Sequence, residues 1–422
     1  MRATPFCAID FGTSNSALSY ATPTGMQLAE LEPGASAIPT ALFYNADDHR
    51  ITYGRAAVAT YVEGHEGRLL RSIKSILGSD LMDETTEIAP GQQVRYLDVL
   101  STYLRHLKQV AERQCGHALT HVVIGRPVFF VDDNPRRDGR AEASLAQAAL
   151  AAGFAEVDFE FEPLAAAFDY ESRISTERRV LVADIGGGTS DFTILRAGPK
   201  QHRALDRRGD ILANHGVHLA GTDFDRAVNL AAISPTLGLG TLSTRGQPVP
   251  SSIYHELATW HLINTCYTHS RMSELRQMRS FYADAQAHGR LMHVLQDRLG
   301  HELAGRAEDA KIAVATTGVA QIDLASVEAG LMADFDEARQ LAALSAAVDR
   351  IAQTAADTAT MAGLAPAQID AIYFTGGSTG LGLLADRIAQ RFPAAERIRG
   401  ERLTSVVAGL AIAAQRRWSP AG

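Results

Sequence analysis

The chain has 422 residues, of which 46% are hydrophobic and 21% are charged, and its formal net charge at pH 7 is −8. This length suits two domains of ordinary size, and the composition is typical of a soluble globular protein. The negative charge argues against a general nucleic-acid binder and against a protein held on anionic membranes.

The first predicted element is a strand that ends in a tight glycine turn. Phe6–Asn15 is an apolar run that ends in Asp-x-Gly and small polar residues, and the chain returns as a second strand from Ala17 to Tyr20. Turn amides and hydroxyls can hold phosphate oxygens, and Asp10 at the strand end offers Mg²⁺ a hard oxygen ligand. A single copy of this pattern is usually an ordinary turn.

Strands and helices then alternate along the first half of the chain. Ile38–Tyr44 is a predicted strand, and its proline favours a position at a sheet edge. The next predictions are a helix over Val99–Gln114, a strand over His121–Ile124, a helix over Ala141–Ala152, a strand over Val157–Phe161 and a helix that begins at Glu162. This alternation predicts an α/β protein with largely covered sheets.

The first pattern is repeated in the second half of the chain. Val180–Asp191 is again an apolar strand that ends in Asp-x-Gly-Gly-Gly, and Phe192–Leu195 returns as the second strand. A third glycine turn follows the apolar strand in Ile372–Thr379, before a predicted helix over Leu381–Arg391 whose amino end would suit a phosphate. Two copies and a third turn favour two lobes that close on one nucleotide.

The rest of the chain adds a helical segment and little else that suggests chemistry. Residues 251–317 have helical spacing, and strands are predicted over Gln321–Leu324 and Ile369–Phe374. The three cysteines are widely spaced and predict no disulfide framework. The absence of a signal peptide favours the cytoplasm, and Val406–Ala414 is too short to span a bilayer.

Taken together, the motifs resemble the DnaK-type heat-shock chaperones of the actin, sugar-kinase and chaperone ATPase superfamily. The segments that carry the resemblance are Ile9–Ser16, Phe161–Ala167, Ala183–Asp191, Leu219–Asp225 and Thr375–Thr379. The resemblance implies a two-lobed actin-like ATPase fold, α/β in class, with duplicated βββαβα-type units and a helical insertion in the second lobe. The chain looks most like the short YegD-type relatives, which lack the family's peptide-binding domain.

The resemblance also implies a domain organisation. Lobe I would span residues 1–178 and carry the first phosphate loop, a catalytic lysine and the connecting helix. Lobe II would span residues 179–400, with the second phosphate loop, a helical subdomain at about 225–317 and the adenosine-side turn. Residues 401–422 would form a carboxyl-terminal helix that returns toward lobe I.

Site residues follow from the same resemblance. Asp10 and Asp191 would hold Mg²⁺, largely through metal-bound waters. The catalytic candidates are Lys74, Glu162, Asp184 and Thr189. The nucleotide-binding candidates are Gly12, Thr13, Ser14, Asn15, Gly186, Gly187, Gly188, Thr189, Gly221, Glu308, Lys311, Gly376, Gly377 and Ser378. For Glu162, a role in positioning water and a plain helix-start acid stay equally open.

The adenosine side departs from the family pattern. Ile312 and Gly380 stand where the family has stacking arginines, and Ala315 replaces a serine that contacts the base. Each loss removes about a kcal/mol of cation–π or hydrogen-bond energy. This side therefore predicts weak or relaxed recognition of the base.

Three functions remain open at this point. The first is a chaperone-like ATP-binding protein with weak, Mg²⁺-dependent ATP hydrolysis, whose protein partner or co-chaperone would bind the helical subdomain. The second is a nucleotide-sensing scaffold with little or no hydrolysis, which the adenosine-side substitutions favour. The third is a small-molecule kinase of the same superfamily, which Lys74 and Glu162 disfavour. The partners expected are therefore a nucleotide and a protein, with no nucleic acid and no membrane.

Overall fold

The structure is a computed structural model that describes residues 5–131, 134–204, 206–400 and 404–419. Its strands are β1 (Phe6–Phe11), β2 (Asn15–Thr22), β3 (Gly25–Leu28), β4 (Ala37–Pro39), β5 (Ala41–Asn45), β6 (Ile51–Tyr53), β7 (Gly67–Arg71), β8 (Thr85–Ala89), β9 (Gln92–Arg95), β10 (His121–Arg126), β11 (Glu156–Phe161), β12 (Arg178–Ile185), β13 (Ser190–Ala197), β14 (Ile211–Val217), β15 (Val319–Asp323), β16 (Met332–Asp336), β17 (Ala371–Thr375) and β18 (Glu396–Arg399).

The helices are α1 (Gly54–Val62), α2 (Tyr96–Cys115), α3 (Pro135–Ala151), α4 (Glu162–Glu171), α5 (Pro199–Arg203), α6 (Gly221–Val228), α7 (Ser252–Leu257), α8 (His269–Gln277), α9 (Ala285–Gln296), α10 (Gly300–Thr317), α11 (Glu337–Met361), α12 (Gly382–Ala389) and α13 (Ser405–Trp418). Among the described residues, none of the helices combines the length and the apolar character that crossing a bilayer requires.

The chain divides into two compact units. The first comprises the described residues of Met1–Gly216, Thr354–Gly377 and Arg391–Gly422, and the second those of Val217–Gln353 and Ser378–Gln390. These packing units are not the lobes proposed above, whose boundaries stay predictions. Of the predicted carboxyl-terminal segment, residues 401–403 and 420–422 lie outside the described residues, and the remainder contains α13.

Two sheets of the first unit have the same topology. The first has the order β11-β10-β1-β2-β3, with β4 also on β2, and the second has the order β18-β17-β12-β13-β14. In each, the first hairpin strand pairs antiparallel with the returning strand and parallel with its other neighbour. This duplication confirms the predicted α/β class and the repeated units.

A shared core joins the two sheets through α4 and α13. Strand β1 alternates its side chains, as the period of two requires: Phe6 and Ala8 contribute to this shared core, whereas Ile9 and Phe11 contribute to a second core that includes α2. Alanines 165 to 167 on α4 and Leu410 on α13 are buried in the shared core. The helix that begins with Glu162 is therefore fixed between both hairpin sheets.

Helix α13 lies against α4 at Gly409. A glycine inside a helix costs about 1 kcal/mol relative to alanine, and here the contact explains it: a Cβ at Gly409 would overlap the backbone carbonyl of Ala165. We expect Gly409→Ala to lower the free energy of unfolding by about 1–3 kcal/mol, because the two helices have to separate. Denaturant unfolding measures this change.

The matched control for that prediction is Gly139→Ala in α3. A Cβ at Gly139 meets no atom within 4 Å, so this change should raise the free energy of unfolding by about 0.4–1 kcal/mol. If Gly409→Ala stabilised the protein as Gly139→Ala does, the close approach of α13 and α4 would be wrong.

The predicted edge strand over Ile38–Tyr44 is wrong as a single element. The structure divides it at Thr40 into β4, which pairs with β2, and β5, which lies between β6 and β7. Pro39 has no amide hydrogen to continue a ladder, and the Thr40 side chain bonds to the first hairpin turn instead. The strand therefore ends where the chain has to hold that turn.

Most other predicted elements are confirmed, with ends that differ by a few residues. The helix over Val99–Gln114 is α2, the one over Ala141–Ala152 is the longer α3, and the helix beginning at Glu162 is α4. Residues 251–317 contain α7 to α10, separated by short turns and packed on one core of the second unit. Strands β15 and β17 match the two late strand predictions.

Candidate functional site

The two glycine turns have the same hydrogen bond. In the first, the Gly12 N–H donates to the Asn15 carbonyl at 3.1 Å, and in the second the Gly186 N–H donates to the Thr189 carbonyl at 3.0 Å. Each turn follows the aspartate-bearing end of a buried strand. The repeated sequence therefore folds into a repeated loop, as its pattern predicts.

The turns also approach each other within the first unit. A Cβ at Gly187 would overlap the Ser14 hydroxyl, so only glycine leaves room for the first turn there. Residues 12–15 and 186–189 are half-buried. Their amides and hydroxyls thus lie at one place on the unit, which is the arrangement that a polyphosphate needs.

Thr40 holds the first turn, and sequence reasoning missed it. Its hydroxyl donates to the Gly12 carbonyl at 2.8 Å and lies 2.8 Å from the Ser16 hydroxyl, while its amide donates to the Ser14 carbonyl at 2.8 Å. The residue is buried. The only signal in the sequence was Pro39, which interrupts the predicted strand one residue earlier.

Lys74 and Glu162 form a close ion pair. The Lys74 Nζ lies 2.6 Å from the Glu162 Oε1, and the two side chains are 10% and 13% exposed. Burial alone would lower the pKa of Lys74, but the carboxylates of Glu162, Asp10 and Asp184 outweigh it and raise that pKa. The amine is therefore a fixed positive charge at neutral pH.

Local backbone features aim both members of the pair. Lys74 stands on a 3-10 turn over Ile73–Ile76, which follows Ser72 in the left-handed region at φ 54°. Glu162 is the first residue of α4, opposite Gly125 of β10, where a Cβ would lie 3.0 Å from the Glu162 Cγ. Glycine at 125 leaves the space that the glutamate side chain occupies.

Asp10 and Asp184 complete an acidic cluster around this pair. Burial raises the pKa of Asp10 to about 8, reinforced by Glu162 and Asp184 and opposed by Lys74. Burial likewise raises the pKa of Asp184 to about 7, reinforced by Glu162 and Asp191 and opposed by Lys74. Three carboxyl groups thus face one ammonium group, and in their fully ionised forms they carry more negative charge than this lysine neutralises.

This surplus of negative charge fits a divalent cation. Among residues 5–131, 134–204, 206–400 and 404–419, no three His, Cys, Asp or Glu side chains converge closely enough to ligate an ion by themselves. A cation held by Asp10 and Asp191 would therefore take its other ligands from water and phosphate, as Mg²⁺ commonly does. Asp191 is exposed, and Gly216 of β14 is small enough to accommodate its carboxylate.

The third glycine turn lies beside the second hairpin. Thr375 at the end of β17 pairs in register with Asp184. Gly376 has φ +86°, and a Cβ there would lie 2.6 Å from the Asp184 Oδ1 and would overlap the Ile185 carbonyl. Both the backbone conformation and the close approach require glycine at this position. Gly377 follows it and is exposed.

The remaining predicted site residues belong to the second unit. Gly221 begins α6, Glu308 and Lys311 are on α10, and Ser378 starts the short segment 378–390 of that unit. The Lys311 Nζ lies 2.5 Å from the Asp225 Oδ1. Burial raises the pKa of Asp225 to about 6, although Lys311 lowers it. Asp225 is the last residue of the segment Leu219–Asp225, which carries part of the family resemblance, but it is not among the predicted site residues.

The substituted adenosine-side positions include an exposed apolar side chain. Ile312 is 54% exposed on α10, and Ala315 is exposed one turn later. Glu308, Ile312 and Ala315 share one face of the helix because residues three and four apart are neighbours. This face offers apolar contact where the family pattern has an arginine and a serine.

The chain is similar to one family of known proteins. A family model described as Hsp70 protein matches residues 6–233. The chain is also similar to three proteins described as chaperone protein DnaK. That of Thermosipho melanesiensis is 28% identical over 222 residues, or 52% of this chain and 34% of the relative. That of Mesomycoplasma hyopneumoniae is 28% identical over 221 residues, and that of Ureaplasma parvum 26% over 221, each 52% of this chain and 33% of the relative.

The matched part is about a third of the length of these relatives. Residues 6–233 contain both glycine turns with their hairpin strands, Lys74 and Glu162, and the match agrees with the actin-like ATPase fold that the resemblance implies. Since the family model covers more than half of the chain, the protein belongs to the Hsp70 family.

Proposed function

We propose that the protein binds ATP and ADP with Mg²⁺ and hydrolyses ATP slowly, as a chaperone-like switch. The observation that carries this proposal is the Lys74–Glu162 pair, whose atoms lie 2.6 Å apart in the acidic cluster beside both glycine turns. Phosphoryl transfer needs positioned groups and fixed charge more than covalent help from the protein. The site supplies both from residues of a single compact unit.

The turns would bind the phosphates from two sides. In the first, Thr13, Ser14 and Asn15 offer hydroxyl, amide and backbone N–H groups to the β- and γ-phosphates. In the second, Gly186–Gly188 would let the backbone approach closely, and the Thr189 hydroxyl would contact the same phosphates. Thr40 would keep the conformation of the first turn constant while ATP is converted to ADP. Its hydroxyl bonds to the Gly12 carbonyl of the turn and contacts the Ser16 hydroxyl.

Mg²⁺ would be held by Asp10 and Asp191, through bound waters. When bound, it would neutralise charge on the β- and γ-oxygens. Asp184 would orient the waters around the cation, and it is fixed beside Thr375 and Gly376. These assignments rest on the acidic surplus and on the resemblance of the two hairpins to the family's phosphate loops.

Lys74 and Glu162 would act on the reaction itself. The protonated Lys74 would face the developing charge on the γ-phosphate. Glu162 would orient the attacking water and receive its proton. Their 2.6 Å contact holds the Glu162 Oε1 next to the ammonium group of Lys74.

A second candidate function is a nucleotide sensor with little hydrolysis. The observation that favours it is the exposed Ile312 with Ala315 on the same helix face, together with Gly380 at the other substituted position. Without guanidinium planes, base recognition would rest on apolar contact, and nucleotides would exchange readily. The two candidates share one phosphate site and differ in turnover.

The partner and the compartment are also proposals. We place a protein partner or co-chaperone on the helical subdomain at about 225–317, whose helices α7 to α10 belong to the second unit. The cytoplasm is the compartment consistent with the three free cysteines, Cys7, Cys115 and Cys266.

Single-turnover hydrolysis separates the two candidates. Excess protein is mixed with radiolabelled ATP and Mg²⁺, and released phosphate is followed over time. Phosphate release that requires Mg²⁺ and exceeds the rate of ATP breakdown in buffer supports the switch. Binding without release would favour the sensor, and an absence of binding would contradict both.

A further inference from the structure

We propose that Arg126, the last residue of β10, is a positioning residue that fixes Glu162 for hydrolysis. This inference rests on the proposed ATPase function. No motif of the sequence pointed to it, since β10 is otherwise an apolar strand that ends in a glycine and an arginine. The contacts of its guanidinium group carry the argument.

The guanidinium group lies between two aromatic rings. Its central carbon is 5.2 Å from the centroid of the Phe130 ring and 5.2 Å from that of the Phe161 ring. The Arg126 side chain is only 12% exposed. A planar cation held against two ring faces in a mostly dry site is a strong contact.

Polar contacts fix the rotation of the same group. Its Nη2 donates to the Asp138 Oδ2 at 3.0 Å and to the Val128 carbonyl at 3.2 Å, its Nε donates to the Pro127 carbonyl at 3.0 Å, and its Nη1 contacts the Glu142 carboxylate. Asp138 also accepts the Phe130 N–H at 2.6 Å. The arginine is thus bound on every side and cannot change rotamer without breaking several contacts.

Phe161 links the fixed guanidinium group of Arg126 to Glu162. Arg126 and Phe161 are register partners in the parallel pair β10–β11. Phe161 is also the residue immediately before α4, and no side chain caps that helix start. The position of Glu162, the next residue, therefore depends on where the Phe161 ring is held.

The opposite face of β10 limits Glu162 from its other side. Gly125, next to Arg126, faces the Glu162 side chain. A Cβ added at position 125 would lie only 3.0 Å from the Glu162 Cγ. Two consecutive residues of β10 thus fix the position of the Glu162 carboxylate. Gly125 leaves room for the Glu162 side chain, and Arg126 holds the backbone from which that side chain extends. A displacement of about 1 Å in such a group can lower a rate by about 100-fold.

The test is single-turnover ATP hydrolysis and calorimetric ADP affinity for R126M, R126K and a control, R140M. Arg140 lies on α3 and also forms two ion pairs in the first unit, with Asp80 and Asp83. We expect R126M to slow hydrolysis at least about tenfold with ADP affinity within about twofold of wild type. R126K, which keeps the charge but not the planar stacking, should recover part of the rate, and R140M should match wild type.

A merely structural role for Arg126 would lower hydrolysis, ADP affinity and melting temperature together, and that result would overturn the inference. So would R126M hydrolysing ATP like R140M. If R126M does not fold, R126K and F161L carry the same test, and the double variant R126K/F161L should be no slower than the slower single variant. A wild-type protein without hydrolysis would overturn the proposed function itself, whereas an active wild type with an unaffected R126K and F161L would overturn this inference alone.

Discussion

Replacing Lys74 with alanine is expected to lower single-turnover ATP hydrolysis by at least about 100-fold, the usual effect of removing one fixed charge from a developing oxyanion. Mg·ADP affinity should stay within about threefold of wild type at pH 8.5, because the phosphate turns do not include this residue. Phosphate release and calorimetry measure the two quantities on the same protein sample.

The control is Lys108→Ala. Lys108 resembles Lys74 in burial, with a side chain 12% exposed, and in pairing, with its Nζ 2.7 Å from the Glu112 Oε1. It lies on α2, away from the glycine turns in sequence and in role. If both variants lost the same rate, or if Lys74→Ala lost nucleotide affinity as fully as turnover, the catalytic role of Lys74 would be wrong.

Mg·ADP binding is expected to release protons at neutral pH and to strengthen as the pH rises toward about 8. In the nucleotide-free protein, burial holds the pKa of Asp10 at about 8 and that of Asp184 at about 7, and the cation favours their ionised forms. Calorimetry with preformed Mg·ADP in buffers of different ionisation enthalpy should show about one to two protons released at pH 6.5 and almost none at pH 9.

The same shifts set the sign of the stability change. Both pKa values are higher in the folded protein than the usual value of about 3.9 in an unfolded chain. The folded state therefore binds more protons, and the stability of the nucleotide-free protein should fall as pH rises from about 4 to about 8. The groups that face Asp10 are Glu162, Lys74 and Asp184, and Asp10→Asn should remove most of its part of this dependence.

Glu160→Gln is the control for the proton count. Burial also raises the pKa of Glu160, although Arg417 lowers it, but this residue is not among the predicted nucleotide contacts. On Mg·ADP binding, the Glu160→Gln variant should release the same number of protons as wild type. The Asp10→Asn variant should release fewer protons, and its ADP affinity should no longer depend on Mg²⁺. Proton release that is unchanged in Asp10→Asn would contradict the assignment of the metal site.

The parts of this fold that could be predicted are those in which local sequence and tertiary structure agree. Phe6–Asn15 and Val180–Asp191 each contain a buried strand, a glycine turn and a polar strand end, and each forms the same hairpin with the same turn hydrogen bond. The start of the helix at Glu162 is also predictable from the sequence, because Pro163 suits the first turn of a helix. In these segments, residues close together in the sequence determine the local structure.

The parts that could not be predicted depend on partners distant in the sequence. The turn at Thr40 is held by bonds to the first hairpin, so the pattern of Ile38–Tyr44 alone predicted one continuous strand. Arg126 gains its role from Phe130 and Phe161. The roles of Lys74 and Glu162 came from the resemblance to the family, since neither residue is distinguishable from a surface charge by its neighbours in sequence.

The most direct test of the central claim is a calorimetric titration of the purified protein with ATP, ADP and AMP, with and without Mg²⁺. Because the two glycine turns would hold the β- and γ-phosphates, ATP and ADP should bind in a Mg²⁺-dependent manner, and AMP should bind at least about 100-fold more weakly, a difference of about 2.8 kcal/mol. AMP binding as tightly as ADP, or no binding of any of the three, would contradict the account.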